Sequence, residues 1–218
     1  MSTSSERGRG RPQAGQREGL DPRDTLIEIA AERFARQGFE GTSLRQVAEG
    51  ADVTPAMVAY YFRDKSGLLE AVVRKGLEVM LGVVRTCVAD HEPGTFVATL
   101  IQGYMATLVR EPWIPQILIR EVVSKDSPLR QVFIEEFAAH AADLVPATVA
   151  AEIRAGVLRA DLDPRYAILS LVGMCLFPFI AHPVMGQVLG YQLDGAFAER
   201  YGRHVQELFL HGAGGSPR

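Results

Sequence analysis

The sequence predicts an all-α protein, on three observations. Asp21-Pro22, Thr54-Pro55, Ser127-Pro128 and Asp163-Pro164 each place a capping side chain before a proline at the first helical position. There the missing N–H costs nothing and φ is already helical. The runs that follow carry apolar residues at a period near 3.6, and no stretch sustains the period-2 alternation of a strand. Hydrophobic residues make up 47% of 218 positions, enough for a substantial core.

Residues 1–20 are rich in Gly, Ser, Arg and Gln and read as a flexible arm. The first helix is expected from Pro22 to Gln37, with Leu26, Ile29, Ala30 and Phe34 on its buried face and Gly38 ending it. A short helix follows from Leu44 to Gly50. Ser43 caps it, and Gln46, three residues on, can reach back in a capping box. Thr54 opens a third helix that ends at Phe62, and Asp64 caps a long fourth one from Lys65 to Ala89. After Glu92-Pro93-Gly94, helices are expected near 95–109, 113–124, 128–156, 164–181 and 195–210. Pro146 should kink or split the third of these. The helix near 164–181 is apolar nearly all round, which predicts burial on every side, partly by its own core and partly by a second subunit.

Charge and composition narrow the function. The 23 Lys+Arg and 26 Asp+Glu give a net charge of −3, so no global basic field advertises nucleic acid. Residues 1–75 nevertheless hold 12 Lys+Arg against 11 Asp+Glu, a slight positive excess over the acidic remainder. Cys87 and Cys175 lack metal-ligand spacing, and no disulfide framework or Cys-type zinc site is expected. No metal or cofactor is expected. The N-terminus has no apolar run of the secretory kind. The most apolar stretch, Ala167 to Ala181, is interrupted by Ser170, Gly173 and Pro178, and is shorter than the ~20 residues of a bilayer span. A soluble, cytoplasmic protein without a membrane partner is expected.

The pair of short helices at Leu44–Phe62 meets the demands of a helix-turn-helix. Val47, Ala51, Val53, Val58 and Tyr61 or Phe62 have the spacing that packs both helices on the first, and Ala48 is small where they approach. Asp52 stands where the turn usually has glycine, and Asp tolerates a left-handed backbone better than most residues. A plain helical hairpin fits the same pattern.

The residues from Gln37 to Leu69, QGFEGTSLRQVAEGADVTPAMVAYYFRDKSGLL, resemble the DNA-binding segment of TetR/AcrR-family transcriptional regulators. Gly38, Phe39, Thr42, Ser43, Val47, Ala48, Val53, Thr54, Tyr61, Phe62, Lys65 and Leu68 hold the matching places. The resemblance implies a homeodomain-like three-helix reader at 21–80 and a C-terminal helical bundle at 81–218 for dimerisation and ligand binding. It also implies a third helix in the major groove of a pseudo-palindromic operator on double-stranded DNA. Thr42 and Ser43 are then expected on phosphate, and Arg45 on a base edge. Pro55, Ala56, Met57 and Ala59 are expected at base-facing positions, Thr54 in contact with DNA, Tyr60 and Tyr61 as phosphate clamps and Lys65 on the backbone, with base reading leaning on Arg45, Met57 and Tyr60. Ala59 stands where many relatives carry tyrosine. Plainer readings exist for several of these: Ser43 and Thr54 as caps, Tyr61 and Phe62 as core, Lys65 as a solvated first-turn residue.

In the family the last two long helices form the homodimer interface. Here these are 164–181 and 195–210, the latter with Phe197, Tyr201, Val205, Leu208 and Phe209 in a stripe. An unidentified small-molecule effector is expected among the middle helices, with Tyr104, Trp113, Arg120, His140, Cys175 and Phe179 as candidate contacts. The apolar lining around them favours a largely hydrophobic ligand. Arg9-Gly10-Arg11-Pro12 in the arm matches the core of minor-groove AT-hooks, but four residues are a weak signal and a solubilising tail is the better reading. No GxSxG, GxGxxG, P-loop or HExxH pattern supports an enzyme. A helical adaptor without DNA binding remains the other class. The sequence as a whole reads as a one-component repressor released from its operator by an effector.

Overall fold

A computed structural model of the chain describes residues 21–89, 92–123 and 127–213. The arm, with its Arg-Gly-Arg-Pro, lies outside the described residues. Ten α-helices are described: α1 (Pro22–Gly41), α2 (Leu44–Gly50), α3 (Pro55–Phe62), α4 (Lys65–Ala89), α5 (Phe96–Arg110), α6 (Trp113–Ile117), α7 (Pro128–Phe133), α8 (Ala139–Arg154), α9 (Pro164–Leu189) and α10 (Gly195–Ala213). Two π-helical segments, Leu118–Val123 and Ile134–Ala138, continue α6 and join α7 to α8. No strand occurs among the described residues.

Two apolar cores divide the work. The first joins α1, α2, α3 and the first half of α4 through Leu26, Ala30, Phe34, Val47, Val58, Phe62, Leu68 and Val72. The second joins the rest of α4 to α5, α8, α9 and α10 through Met80, Val84, Leu100, Ile101, Val149, Leu171, Phe179 and Val205. Helix α4 contributes to both, so one 25-residue rod runs from the first core into the second.

Local chemistry explains most boundaries. Asp21 and Asp163 accept from the N–H two residues ahead, of Arg23 and Arg165, each at 2.9 Å. Ser127 does the same from Leu129 at 3.2 Å. Thr54 occupies the cap position of α3 but makes no side-chain capping bond, unlike the other three. Helix α1 overruns its expected end by four residues, yet the break is where expected: Gly38 adopts φ 75°, ψ 174° inside it. A Cβ at Gly38 would need that left-handed φ and would also lie 3.3 Å from the Arg120 guanidinium.

Two expectations in the C-terminal half fail. Pro146 lies within α8, and the segment around it is divided at the π-helical residues 134–138 instead. Helix α9 runs through Pro178 and Pro183 to Leu189. A proline lacks the N–H that would bond four residues back, so Pro178 frees the carbonyl of Met174. The Tyr201 hydroxyl donates to that carbonyl at 3.2 Å, and the Tyr191 hydroxyl donates to Pro178 O at 2.9 Å. The extended α9 is, by length and composition, long enough to cross a membrane, which removes the shortness argument against a span.

Candidate DNA interface and effector domain

The reader is built from its caps. At α2, Ser43 Oγ accepts from Gln46 N at 3.2 Å while Gln46 Oε1 accepts from Ser43 N at 2.8 Å, a complete capping box. The helix ends in a Schellman motif. Val53 N–H donates to Ala48 O at 3.0 Å and Asp52 N–H to Glu49 O at 3.3 Å, with Asp52 left-handed at φ 54°. This turn aims α3. A second non-glycine residue of positive φ, Arg63 at 68°, closes α3, and its N–H bonds Ala59 O at 2.9 Å. Gly67 then lets α4 fold back tightly: a Cβ there would sit 2.2 Å from Phe62 O, and its N–H is held by Asp64 Oδ1 at 2.8 Å.

Helix α3 gives only Val58 and Phe62 to the core. Thr54, Pro55, Ala56, Ala59 and Tyr60 are exposed and Met57 is half-buried. Tyr60 is 82% exposed and meets Tyr61 edge-on at 5.3 Å. Arg45 projects beside this surface, its side chain 82% exposed and paired with Glu49 one turn on at 2.9 Å. Such an exposed pair is weak, so the guanidinium can leave it for a stronger partner.

Two expected phosphate contacts are differently employed. Thr42 is 2% exposed, and its hydroxyl donates inward to Gly38 O at 3.0 Å. The side chain repairs the break in α1 and is not on the surface. Lys65 donates from Nζ to Thr42 O at 3.1 Å and lies 4.3 Å from the centre of the Phe39 ring. Arg63, absent from the sequence-based set, stands exposed between α3 and α4. Its left-handed backbone carries no local sequence signal, because L-residues seldom adopt it.

The six candidate effector contacts do not converge. Tyr104, Cys175 and Phe179 are buried together in the second core. There burial, helped by Cys175 and Cys87 nearby, pushes the Tyr104 phenol well above its ordinary range, and burial pushes the Cys175 thiol up to about 12. His140 is exposed, its Nδ1 2.6 Å from Glu136 O within its own helical segment, and is corrected to a surface residue. Arg120 turns to the reader: Nη1 donates to Phe34 O and Ala35 O, each at 3.3 Å. Trp113 bonds Glu111 through Nε1 at 2.9 Å and packs against both cores. It lines an open groove of about 740 Å³ between α1, α4 and the α5–α6 link, floored by Ile27, Ala31 and Val79.

Within its own chain, helix α9 is covered on one face. Ala167, Leu171, Cys175 and Phe179 face the core, whereas Tyr166, Leu169, Phe177, Val184 and Val188 form an exposed apolar stripe at spacings of three, eight, seven and four. Of the expected α10 stripe, Phe197, Val205 and Phe209 pack inside their own subunit, Tyr201 is half-buried, and Leu208 is exposed.

The model of bacterial regulatory proteins of the tetR family matches residues 26–72, and that of the tetracyclin repressor-like C-terminal domain matches 93–208. The chain belongs to the TetR family. It is accordingly a DNA-binding, helix-turn-helix transcriptional regulator. It is 32% identical over 134 residues to a probable HTH-type transcriptional regulator, YttP, of Bacillus subtilis (strain 168), an alignment spanning 54% of this chain and 65% of that relative. The solved structure of the ketosteroid transcriptional regulator KstR2 of Mycobacterium tuberculosis superposes with a TM-score of 0.73 at 20% identity, covering 93% of this chain and 99% of that one. FadR of Bacillus subtilis, solved with stearoyl-CoA, gives 0.70 at 19% identity, covering 87% and 98%. Within this TetR-family regulator the matched N-terminal segment holds most of the first core, which also takes Ile117, Val122 and Leu129 from the C-terminal domain, and that domain holds most of the second.

Proposed function

We propose that this TetR-family regulator is a homodimeric repressor acting in the cytoplasm on a pseudo-palindromic operator. Its α3 enters the major groove, and a small, largely apolar effector releases it. The observation that carries the reading is the outward face of α3. Five residues of an eight-residue helix, Pro55, Ala56, Met57, Ala59 and Tyr60, are left out of the core while Val58 and Phe62 fix the helix in place. Arg45 reads a base edge from α2, and Ser43, Thr54 and Tyr61 contact phosphate. The Thr54 hydroxyl makes no capping bond, which supports this role for it. The apolar stripe of α9 is the subunit interface, not a lipid surface, since its opposite face is packed in the core.

The effector enters the C-terminal bundle near Tyr104, Cys175 and Phe179, where aliphatic and aromatic groups surround one phenol and one thiol. The stearoyl-CoA held by FadR, a structural neighbour, supports a ligand with a long apolar part.

The test is duplex DNA selected from a random pool by the protein itself. Affinity for the selected duplex falls about 10³–10⁵-fold between ~50 and ~200 mM salt if 6–10 phosphates are contacted. Arg45→Ala relaxes the base preference as well as weakening binding. Recovery of no preferred, two-fold-related sequence refutes the operator reading.

A further inference from the structure

We propose that Arg63 binds a phosphate of the DNA backbone, and that the fold keeps an arginine there in a strained turn which glycine would relax. The inference rests on the assignment of α2–α4 as the DNA-binding surface. Arg63 is the residue on which the chain reverses from α3 into α4. Its N–H closes α3 on Ala59 O at 2.9 Å, and the next N–H, of Asp64, bonds Phe62 O at 2.8 Å. With φ 68° and ψ −60°, Arg63 is the centre of a γ-turn of the positive-φ form, the rare and strained one. A Cβ makes this backbone costly, and only glycine enters it freely. Strained residues of this kind persist where their surroundings over-determine them, and they cluster at binding sites.

Nothing inside the protein calls for an arginine at this point. Arg63 is exposed, and among the described residues its guanidinium has no hydrogen bond, ion pair or ring contact. Two acids that line the same clefts are already engaged. Asp64 Oδ1 holds Gly67 N–H at 2.8 Å, and Glu70 Oε1 takes Arg74 at 2.9 and 2.7 Å. Two neighbouring cations of the reader do have partners, Arg45 in Glu49 and Lys65 in Thr42 O. What lies outside is set by the length of α3. A helix of eight residues is about 12 Å long, about the width of the major groove. The residue at which α3 leaves that groove therefore stands at its phosphate wall, which Tyr61 meets two positions earlier. A guanidinium binds a phosphate there through two N–H donors at once.

The experiment measures melting temperature and DNA binding over a salt series for the full-length wild type, Arg63→Gly, Arg63→Gln and Arg63→Lys. One duplex is selected by the wild type, and the other is a scrambled duplex of equal length. Arg63→Gly melts a few degrees higher than the wild type, because the strain is gone. It nevertheless binds both duplexes about tenfold more weakly, and its slope of log affinity on log salt is shallower by ~0.9. Arg63→Gln, which keeps the Cβ and the strained backbone, melts with the wild type and shows the same loss and the same slope. Arg63→Lys keeps the slope and most of the affinity, since the charge remains. Wild-type affinity and slope in Arg63→Gln overturn the proposal. So does a loss confined to the selected duplex, which makes Arg63 a base reader, and so does a lower melting temperature in Arg63→Gly, which removes the strain. Failure of the wild type to select any duplex is a different result, and refutes the DNA-binding surface itself.

Discussion

The guanidinium of Arg120 donates to the carbonyl of Phe34, 86 positions earlier, and to that of Ala35 beside it, both at 3.3 Å. The carbonyls lie in the turn just before the break that Gly38 puts in α1. A positive charge is favoured at that end of a helix. Because Arg120 belongs to the π-helical segment that continues α6, the contact joins the C-terminal domain to the back of the reader. Arg120→Met keeps the length and removes the donors, and should cost about 1–3 kcal/mol by urea titration. It should also uncouple the halves: operator DNA slows amide exchange across residues 113–123 in the wild type and not in the variant. Equal protection in both would place the coupling elsewhere.

Asp163 caps α9 and holds Arg165 through both carboxylate oxygens, at 3.2 and 2.8 Å. The hydrogen bonds from the Arg165 side chain and backbone hold its carboxyl at about 2, below the ordinary 3.8. A group whose folded value is depressed stabilises above its unfolded value and ceases to as pH falls through the folded one. Wild type should therefore melt higher than Asp163→Asn above about pH 4, and the gap should close by about pH 2. A gap independent of pH over that range would mean that the ion pair contributes nothing.

The two faces of α9 give opposite outcomes for a charge. Phe177 is 60% exposed on the outer stripe, and Leu171 is 3% exposed on the inner one. Phe177→Asp should yield a folded monomer by light scattering, since contiguous exposed apolar patches of this kind mark interaction sites. Leu171→Arg should instead prevent folding or lower stability by several kcal/mol, a charge left unpaired in the core. A dimeric Phe177→Asp protein would exclude this stripe from the interface.

Tyr201→Phe removes the donor that reaches Met174 O beside Pro178. The carbonyl is left without that partner at the point where proline has already interrupted the helix. A loss of about 1–3 kcal/mol is expected, measured by denaturant titration. A change below ~0.5 kcal/mol would show that water satisfies the carbonyl as well as the phenol does.

The N-terminal third was legible because its boundaries are written in local chemistry. Ser43 with Gln46, Asp52 in the turn and Asp64 before α4 each act within a few residues of their own position, and the structure finds each in its expected role. What the sequence could not show depends on partners far along the chain. The helix expected to stop at 181 runs through Pro183 to Leu189, and the carbonyl that Pro178 frees finds its donor in Tyr201 of another helix. Arg120 looks like an anchor for a ligand until the broken end of α1 offers it two carbonyls. The face of α9 that meets its own core, and so the one left over, was invisible for the same reason: a helix apolar all round carries no periodic signal to orient it.

Helix α3 buries Val58 and Phe62 in the interior of the protein and rests Tyr61 against the same core. Its other side chains answer to no internal neighbour whose packing would veto a change. Exchange of Pro55, Ala56, Met57, Ala59 or Tyr60 therefore alters what the helix meets outside and leaves the fold's stability nearly untouched. A lineage can then redirect such a protein to a new stretch of chromosome by drift at a handful of codons, passing through folded intermediates all the way. Duplicated copies can diverge in address while keeping one architecture.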